Sequence, residues 1–135
     1  MKKPKSIEIH SGPGFRVKNT FQRPSNELVQ AFKQFETPDI SDLMNRLYSM
    51  NSAIRPIFTN KPLVGPAFTV KVYPGDNLMV HKSLDLVQPG DVIVVDTGGH
   101  RTSAVIGDLV ANKAKHLGVA GFVIDGLVRD LPGLL

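Results

Sequence analysis

The chain has 135 residues, 41% of them hydrophobic, and contains neither cysteine nor tryptophan. This length suits one domain with its own hydrophobic core, and the lack of cysteine excludes disulfides and cysteine-ligated zinc. No apolar run is long enough for a membrane-spanning helix, and the basic first residues are not followed by the apolar segment of a signal peptide. We therefore expect a cytoplasmic protein without a membrane partner.

The net charge of +4 and the isoelectric point near 9.5 raise the question of nucleic-acid binding. Lysine and arginine are spread along the chain, and their densest cluster is Lys2, Lys3 and Lys5. No basic helix and no aromatic stacking platform accompany them. A nucleic-acid partner is therefore disfavoured, and the alternative is a charged surface that serves solubility or attracts small anions.

Residues 1–24 contain prolines and glycines but no apolar periodicity, which predicts an irregular arm in front of an α/β domain at 25–135. The domain opens with two predicted helices. The first starts near Ser25, and the second has Thr37 as its N-cap and Pro38 at its first helical position.

Alternating apolar residues over 67–73 predict a half-buried strand, and a short helix is predicted from about 76 to 86. The next strand, 92–95, is apolar on both faces, as in a sheet covered on both sides. After the glycines at 98 and 99, the pattern predicts a helix that ends near Leu117. Five apolar residues are expected on the core side of this helix: Ile106, Leu109, Val110, Ala114 and Leu117.

A further strand at 122–124 completes a βαβ unit, for which a right-handed parallel crossover is expected. Asp96 and Asp125 each follow the carboxyl end of a predicted strand. Open α/β sheets bind ligands at that edge. Both carboxylates are therefore expected on the ligand side of the sheet.

The segment Gly107–Val110 begins the predicted helix of this unit. Gly107 would allow a ligand to approach closely, the amides of Leu109 and Val110 could bind a carboxylate, and Asp108 could contact a metal-bound water. The alternative interpretation is structural, because an acid near a helix N-terminus is favourable without any further role.

Arg129 and Asp130 follow the last predicted strand, in a loop at the same edge of the sheet. Twenty residues separate Asp108 from Arg129, about what a helix, a turn, a strand and a loop require. An arginine can receive a substrate carboxylate, and a carboxylate supplies the oxygen ligands that Mg²⁺ or Mn²⁺ prefers. The combination predicts a metal-assisted lyase, although a surface ion pair would also explain the Arg-Asp pair.

Other motifs give no competing chemistry. The turn at Gly98–Arg101 lacks the Lys-Ser/Thr of a P-loop, and no G-x-G-x-x-G follows a strand. The four histidines show no metal-ligand spacing, and no nucleophile elbow is present.

The chain resembles the family of the regulator of ribonuclease E activity A, which includes 4-hydroxy-4-methyl-2-oxoglutarate aldolases. The pattern of an aspartate, twenty residues and an Arg-Asp pair is that of the aldolase-competent members. The segments that carry the resemblance are Thr37–Leu43, Gly65–Val70, Gly90–Asp96, Gly107–Ala111 and Gly118–Asp130.

The resemblance implies a β/β/α swivelling-type domain with a mixed sheet and covering helices, assembled as a homotrimer or a dimer of trimers with sites between subunits. It also implies that Asp130 binds a divalent metal (Mg²⁺ or Mn²⁺) and that Arg129 binds substrate. Gly107–Val110 would form the substrate-binding helix start, and Asp108 would hydrogen-bond a metal-bound water. Because family members continue beyond the Arg-Asp loop, the domain at 25–135 is expected to be C-terminally truncated.

The implied activity is that of a class II-type aldolase, which cleaves 4-hydroxy-4-methyl-2-oxoglutarate-like 2-oxo acids to pyruvate without a lysine Schiff base. The metal and Arg129 would offset the charge of the pyruvate enolate, and the same electron sink predicts oxaloacetate decarboxylation. The alternative is a non-catalytic regulator that binds and inhibits a ribonuclease. Methyltransferase activity is disfavoured because the glycine-rich cofactor loop is missing.

Overall fold

The computed structural model describes residues 15–57 and 62–134. Most of the predicted N-terminal arm, 1–14, lies outside the described residues. Its described part, 15–24, contains neither helix nor strand. Two short helices follow, α1 at Asn26–Phe32 and α2 at Thr37–Leu43.

The two helices start for different reasons. The hydroxyl of Ser25 accepts a hydrogen bond from the amide of Leu28 at 3.3 Å and so caps α1. In α2 the N-cap is Glu36, which has extended backbone angles, and Thr37 is already helical. The prediction of Thr37 as the cap is therefore wrong by one residue.

A three-stranded parallel sheet forms the centre of the fold. Its strands are β1 at Ala67–Lys71, β2 at Val92–Asp96 and β4 at Gly121–Asp125, in the spatial order β1-β2-β4. The alternation predicted for the first strand is confirmed, because Val70 and Val72 are buried while Thr69, Lys71 and Tyr73 are exposed.

A second, two-stranded parallel sheet pairs β3 at Ala104–Ile106 with β5 at Leu127–Val128. The sequence predicted no strand between the glycines at 98 and 99 and the next helix, and this is wrong, because β3 comes first. The helix start predicted at Gly107–Val110 is confirmed. Helix α4 then spans Asp108–His116, so Ile106 belongs to a strand. Strands of two and three residues are too short for the period-2 pattern to appear.

Helix α3 spans Leu78–Ser83, a shorter stretch than predicted. Asp76 lies before it and accepts a hydrogen bond from the amide of Leu78 at 2.8 Å. The core combines the sheets with α3 and α4, and full burial of a valine or isoleucine side chain stabilises the fold by about 1.5–3 kcal/mol. Its most deeply buried apolar residues include Val80, Ile93, Val95, Val105 and Ala114.

Helix α4 turns Val110 and Ala114 to this core, as predicted. Leu109 was expected there as well, but 81% of it is exposed, and Leu117 lies beyond the helix as its partly exposed C-cap. The buried face of α4 is therefore narrower than the apolar pattern of the sequence indicated.

The α/β class is confirmed. Both sheets contain only parallel strand pairs in the described residues, whereas the family resemblance implied a mixed sheet. Within 15–57 and 62–134, no helix combines the length and apolar character needed to cross a bilayer.

Candidate functional site

The two short strands carry two separate segments of the chain to one place. Ile106 and Val128 are paired at the ends of β3 and β5. The amide of Arg129 extends this pairing by donating a hydrogen bond to the carbonyl of Ile106 at 3.1 Å. Because the strands are parallel, the residues that follow them, Gly107 and Arg129, leave the sheet side by side.

Gly107 lies against both members of the Arg-Asp pair. A Cβ atom on this glycine would be 2.3 Å from Oδ2 of Asp130 and 3.2 Å from Nε of Arg129. The backbone of Gly107 is extended, with φ of −137°, so the glycine is needed for space and not for an unusual conformation. It is also the N-cap of α4, which brings the start of that helix next to the two charged groups.

The Arg129–Asp130 pair is accessible to solvent. Nε of Arg129 lies 3.3 Å from Oδ2 of Asp130, and the two side chains are 74% and 43% exposed. Asp130 has φ of +60°, in the left-handed region that costs a non-glycine residue roughly 1–2 kcal/mol. Its carbonyl accepts a hydrogen bond from the amide of Gly133 at 2.9 Å, within a 3-10 helix at Leu131–Leu134. Left-handed backbone conformations of non-glycine residues, such as that of Asp130, are concentrated at binding and catalytic sites.

Asp108 lies beneath this 3-10 helix. A Cβ on Gly133 would be 2.7 Å from Cβ of Asp108, so the two segments approach as closely as a glycine permits. Oδ1 of Asp108 accepts a hydrogen bond from the amide of Leu109 at 2.7 Å. The Leu109 amide, which the sequence predicts as a substrate donor, is therefore occupied by its neighbour's carboxylate. The amides of the first turn otherwise have no acceptor within the helix.

The predicted site residues thus come together, with Gly107 and Asp108 from one segment and Arg129 and Asp130 from the other. Sequence reasoning missed Gly133, for which the Pro-Gly step after Asp130 was the available signal. A close approach between distant segments cannot be recognised from either segment alone.

The side chains at this place can be compared with the ligands that a divalent metal ion requires. Among the residues that the structure describes, no group of three or more His, Cys, Asp or Glu side chains could hold an ion. Asp130 and Asp108 supply carboxylate oxygens, and Mg²⁺ is usually held by one or two carboxylates together with water and substrate. A Cβ on Gly107 would lie 2.3 Å from Oδ2 of Asp130, so the glycine leaves room for this carboxylate beside the helix start. The donor set therefore fits a hard divalent cation with few protein ligands.

The two strand-end aspartates, Asp96 and Asp125, are engaged by the protein itself. Asp96 accepts hydrogen bonds from Nζ of Lys71 at 2.6 Å and from the amide of Gly98 at 2.8 Å. These bonds, that from Lys71 first, hold the pKa of Asp96 below its ordinary value. Asp125 accepts from the amide of Gly99 at 3.0 Å.

Two clefts lie elsewhere in the structure. One, of about 550 Å³, runs along β1 and α3, and another, of about 470 Å³, lies between α1 and the segment before β1. None of the six predicted site residues lines either cleft. The candidate site lies apart from both clefts, where the solvent-accessible Arg129–Asp130 loop meets the helix start at Gly107.

The structure is thus an α/β domain in which the Arg129–Asp130 loop packs against a helix whose N-cap is Gly107. The chain belongs to the Aldolase/RraA family, whose RraA-like model matches residues 37–135.

A protein of Halalkalibacterium halodurans, provisionally named a 4-hydroxy-4-methyl-2-oxoglutarate aldolase, is 46% identical over 105 residues, which are 78% of this chain and 50% of that protein. A protein of Hahella chejuensis with the same provisional name is 35% identical over 102 residues, covering 73% of this chain and 60% of its own. The chain therefore spans about half to three-fifths of the length of these relatives.

Among solved structures, Streptomyces coelicolor RraAS2 has a similar fold, with a TM-score of 0.75 and 29% identity. The alignment covers 85% of this chain and 60% of RraAS2, which is described as an unusual member of the RNase ES inhibitor RraA protein family. The relatives thus carry names from two functional classes, an aldolase and a ribonuclease inhibitor.

Proposed function

We propose that this protein is a divalent-metal-dependent lyase, a class II-type aldolase that cleaves 4-hydroxy-4-methyl-2-oxoglutarate-like 2-oxo acids to pyruvate. The observation that carries the proposal is the meeting of Arg129 and Asp130 with the helix start at Gly107. The provisional names of the two relatives support the substrate class.

Substrate binding is assigned to the guanidinium of Arg129 and the first turn of α4. The guanidinium is largely exposed and can form two parallel hydrogen bonds to a carboxylate. The positive end of the helix dipole adds to the attraction for an anion. For the Leu109 amide to take part, the Asp108 carboxylate must release it.

Asp130 is the proposed metal ligand, with Asp108 acting through water. A bound Mg²⁺ or Mn²⁺ would act as a Lewis acid towards the 2-oxo group. Arg129 and the helix dipole would then stabilise the negative charge that develops on the enolate oxygen of the departing pyruvate.

Asp108 is the proposed proton acceptor, acting through water. The C4 hydroxyl gives up its proton and becomes the carbonyl group of one product as the C3–C4 bond breaks. The electron pair of that bond forms the enolate of the other product, which is protonated at C3 to give pyruvate. Loss of CO₂ from oxaloacetate leaves the same enolate, so a decarboxylase side activity is part of the proposal. The expected magnitude for such an acid-base group is roughly 10²–10⁴-fold in rate.

Assembly as a homotrimer or a dimer of trimers belongs to the same proposal. The site is open in a single chain, and catalysis of this kind depends on excluding water from the reacting groups. A neighbouring subunit over the Arg129–Asp130 loop would provide that cover.

The test is release of pyruvate from 4-hydroxy-4-methyl-2-oxoglutarate, measured with a coupled dehydrogenase, with Mg²⁺ and after EDTA. We expect activity that EDTA removes, Mg²⁺ or Mn²⁺ restores and Asp130→Ala abolishes. Asp42→Ala is the matched control, because Asp42 also forms an exposed ion pair, with Arg46 at 2.9 Å. Absence of turnover across a panel of hydroxy-oxo diacids with either metal would contradict the proposal, as would full activity in Asp130→Ala.

A second candidate, inhibition of a ribonuclease, is favoured by the similarity to RraAS2. It predicts binding to a purified E-type ribonuclease that is unchanged by Asp130→Ala, since protein docking does not require that carboxylate. Such binding in a protein that releases no pyruvate would favour this candidate over the aldolase.

A further inference from the structure

A turn at 97–101 is bound to the point where the chain passes from β4 to β5. Thr97 is completely buried, and its hydroxyl donates a hydrogen bond to the carbonyl of Asp125. The same hydroxyl accepts a hydrogen bond from the amide of His100 at 3.0 Å. A Cβ on Gly126 would be 2.9 Å from Cγ2 of Thr97, so the two segments are in close contact.

The carboxylate of Asp125 strengthens this connection. Oδ2 accepts a hydrogen bond from the amide of Gly99 at 3.0 Å, and Oδ1 lies 3.6 Å from Nη2 of Arg101. The side chain is 37% exposed, so the pairing with Arg101 by itself contributes little to stability. Together with the hydrogen bonds of Thr97, these contacts hold the turn at 97–101 against the junction between β4 and β5 through both the backbone and the side chain of Asp125.

Both strands that lead to the candidate site follow this connection closely: β5 begins directly after Gly126, and β3 begins three residues after Arg101. The turn leads into β3, which ends beside Gly107, while the junction leads into β5, which ends beside Arg129. Strands of three and two residues have few ladder hydrogen bonds with which to fix their own alignment. We therefore expect their relative position to depend also on the contacts between the segments that lead into them.

We propose that Thr97 and Asp125 are positioning residues for the candidate site. They act through β3 and β5, setting where Arg129 and Asp130 lie relative to Gly107. The kinetic part of this inference rests on the proposed aldolase function. Its structural part, the alignment of the two strands, does not.

The kinetic test compares two substitutions at Thr97 with a stability control. Thr97→Val keeps the shape and removes the hydroxyl, while Thr97→Ser keeps the hydroxyl. Val80→Ala truncates a fully buried side chain on α3, away from this connection. A displacement of reacting groups by about 1 Å can cost roughly 100-fold in rate. We expect kcat for pyruvate release to fall at least about tenfold in Thr97→Val, to recover in Thr97→Ser and to stay near the wild-type value in Val80→Ala.

The structural test is hydrogen exchange at the amide of Arg129, which donates to Ile106. Loosening of β3 against β5 should make this amide exchange roughly tenfold faster in Thr97→Val, with no such change in Val80→Ala. Should Thr97→Val fail to fold, Asp125→Ala serves instead, because it removes both the acceptor for the Gly99 amide and the charge facing Arg101.

The outcomes separate the two ideas. Unchanged exchange at Arg129, or equal effects of Thr97→Val and Val80→Ala on exchange, would overturn the positioning role. If the wild type releases no pyruvate while the Arg129 amide responds as expected, the aldolase proposal fails and the alignment role of Thr97 stands.

Discussion

The backbone of Gly107 lies against the carboxylate of Asp130, so closely that a Cβ on the glycine would be 2.3 Å from Oδ2. No real Cβ approaches an oxygen atom at that distance, and the glycine is therefore a condition for the present position of the carboxylate. The same glycine is the N-cap of α4. Because Gly107 has no Cβ, the proposed metal ligand, Asp130, can lie directly against the start of the proposed substrate-binding helix.

The first prediction is that Gly107→Ala abolishes activity while the protein still folds. The added methyl must displace Asp130 or Arg129, both of which are exposed and able to move. We expect kcat/KM to fall roughly 100-fold or more. Gly121→Ala is the matched control, because its Cβ would meet Cδ1 of Leu63 at 2.8 Å in a different part of the fold. Equal losses of activity in the two variants would contradict a specific role for Gly107.

The second prediction separates catalysis from helix stabilisation at Asp108. Asp108→Asn keeps an oxygen that can accept from the Leu109 amide but loses the negative charge. In both readings the free energy of unfolding falls by about 0.3–1 kcal/mol, because an acid is lost from the first turn. Only the catalytic reading predicts a fall in kcat of roughly 10²–10⁴-fold.

Asp39→Asn is the control for this comparison, since Asp39 is likewise an acid in the first turn of a helix, α2. Urea unfolding and pyruvate release are measured for both variants. If Asp108→Asn loses no more activity than Asp39→Asn, Asp108 serves only the helix dipole.

The sequence carried enough information for the larger elements and for the meeting of the two site segments. Alternation predicted strand β1, in which Val70 is buried, together with the buried Val72 just beyond it. The spacing between Asp108 and Arg129 predicted that a helix and a strand would return the chain to the same edge. The alternation arises because one face of the strand is buried, which leaves a periodic pattern in the sequence. The spacing reflects only the number of residues that the intervening helix, turn and strand require.

The features that escaped prediction depend on contacts between distant segments. Strands β3 and β5 exist because each pairs with the other, and neither is long enough to show a period. The exposure of Leu109 and the approach of Gly133 to Asp108 likewise follow from how α4 packs, and not from the local sequence. Asp125 was expected to face a ligand, but its partners Gly99 and Arg101 follow from the shape of the turn.

The third prediction concerns a buried ion pair between the N-terminal segment and the sheet. Arg23 donates to Asp91 through Nη2 at 2.7 Å and Nε at 3.2 Å, and Asp91 is only 2% exposed. Removing the arginine leaves a buried carboxylate whose one remaining donor, among the described residues, is the amide of Gln88. Breaking a buried pair costs about 3–5 kcal/mol, and the partial exposure of Arg23 favours the low end of that range.

Urea denaturation of Arg23→Ala should therefore give a free energy of unfolding lower by about 3 kcal/mol. Arg46→Ala, which breaks the exposed pair with Asp42, should cost less than about 1 kcal/mol. A loss in Arg23→Ala no larger than that in Arg46→Ala would show that the arm does not stabilise the domain through Asp91.

The fourth prediction follows from the lowered pKa of Asp96, which is caused first by the hydrogen bond from Lys71 and then by that from the Gly98 amide. A carboxyl group whose pKa is lower in the folded state stabilises the fold when it is ionised, so the contribution is present above its ordinary pKa and disappears as the pH falls below about 4. Because half of the Asp96 side chain is exposed, we expect its contribution to the free energy of unfolding to be less than about 1 kcal/mol. Urea unfolding should show the wild type more stable than Asp96→Asn at pH 7, with the difference shrinking towards zero at pH 3 and below. A difference that grows as the pH falls has the wrong sign for a stabilising carboxylate, and it would mean that the pair with Lys71 does not form in solution.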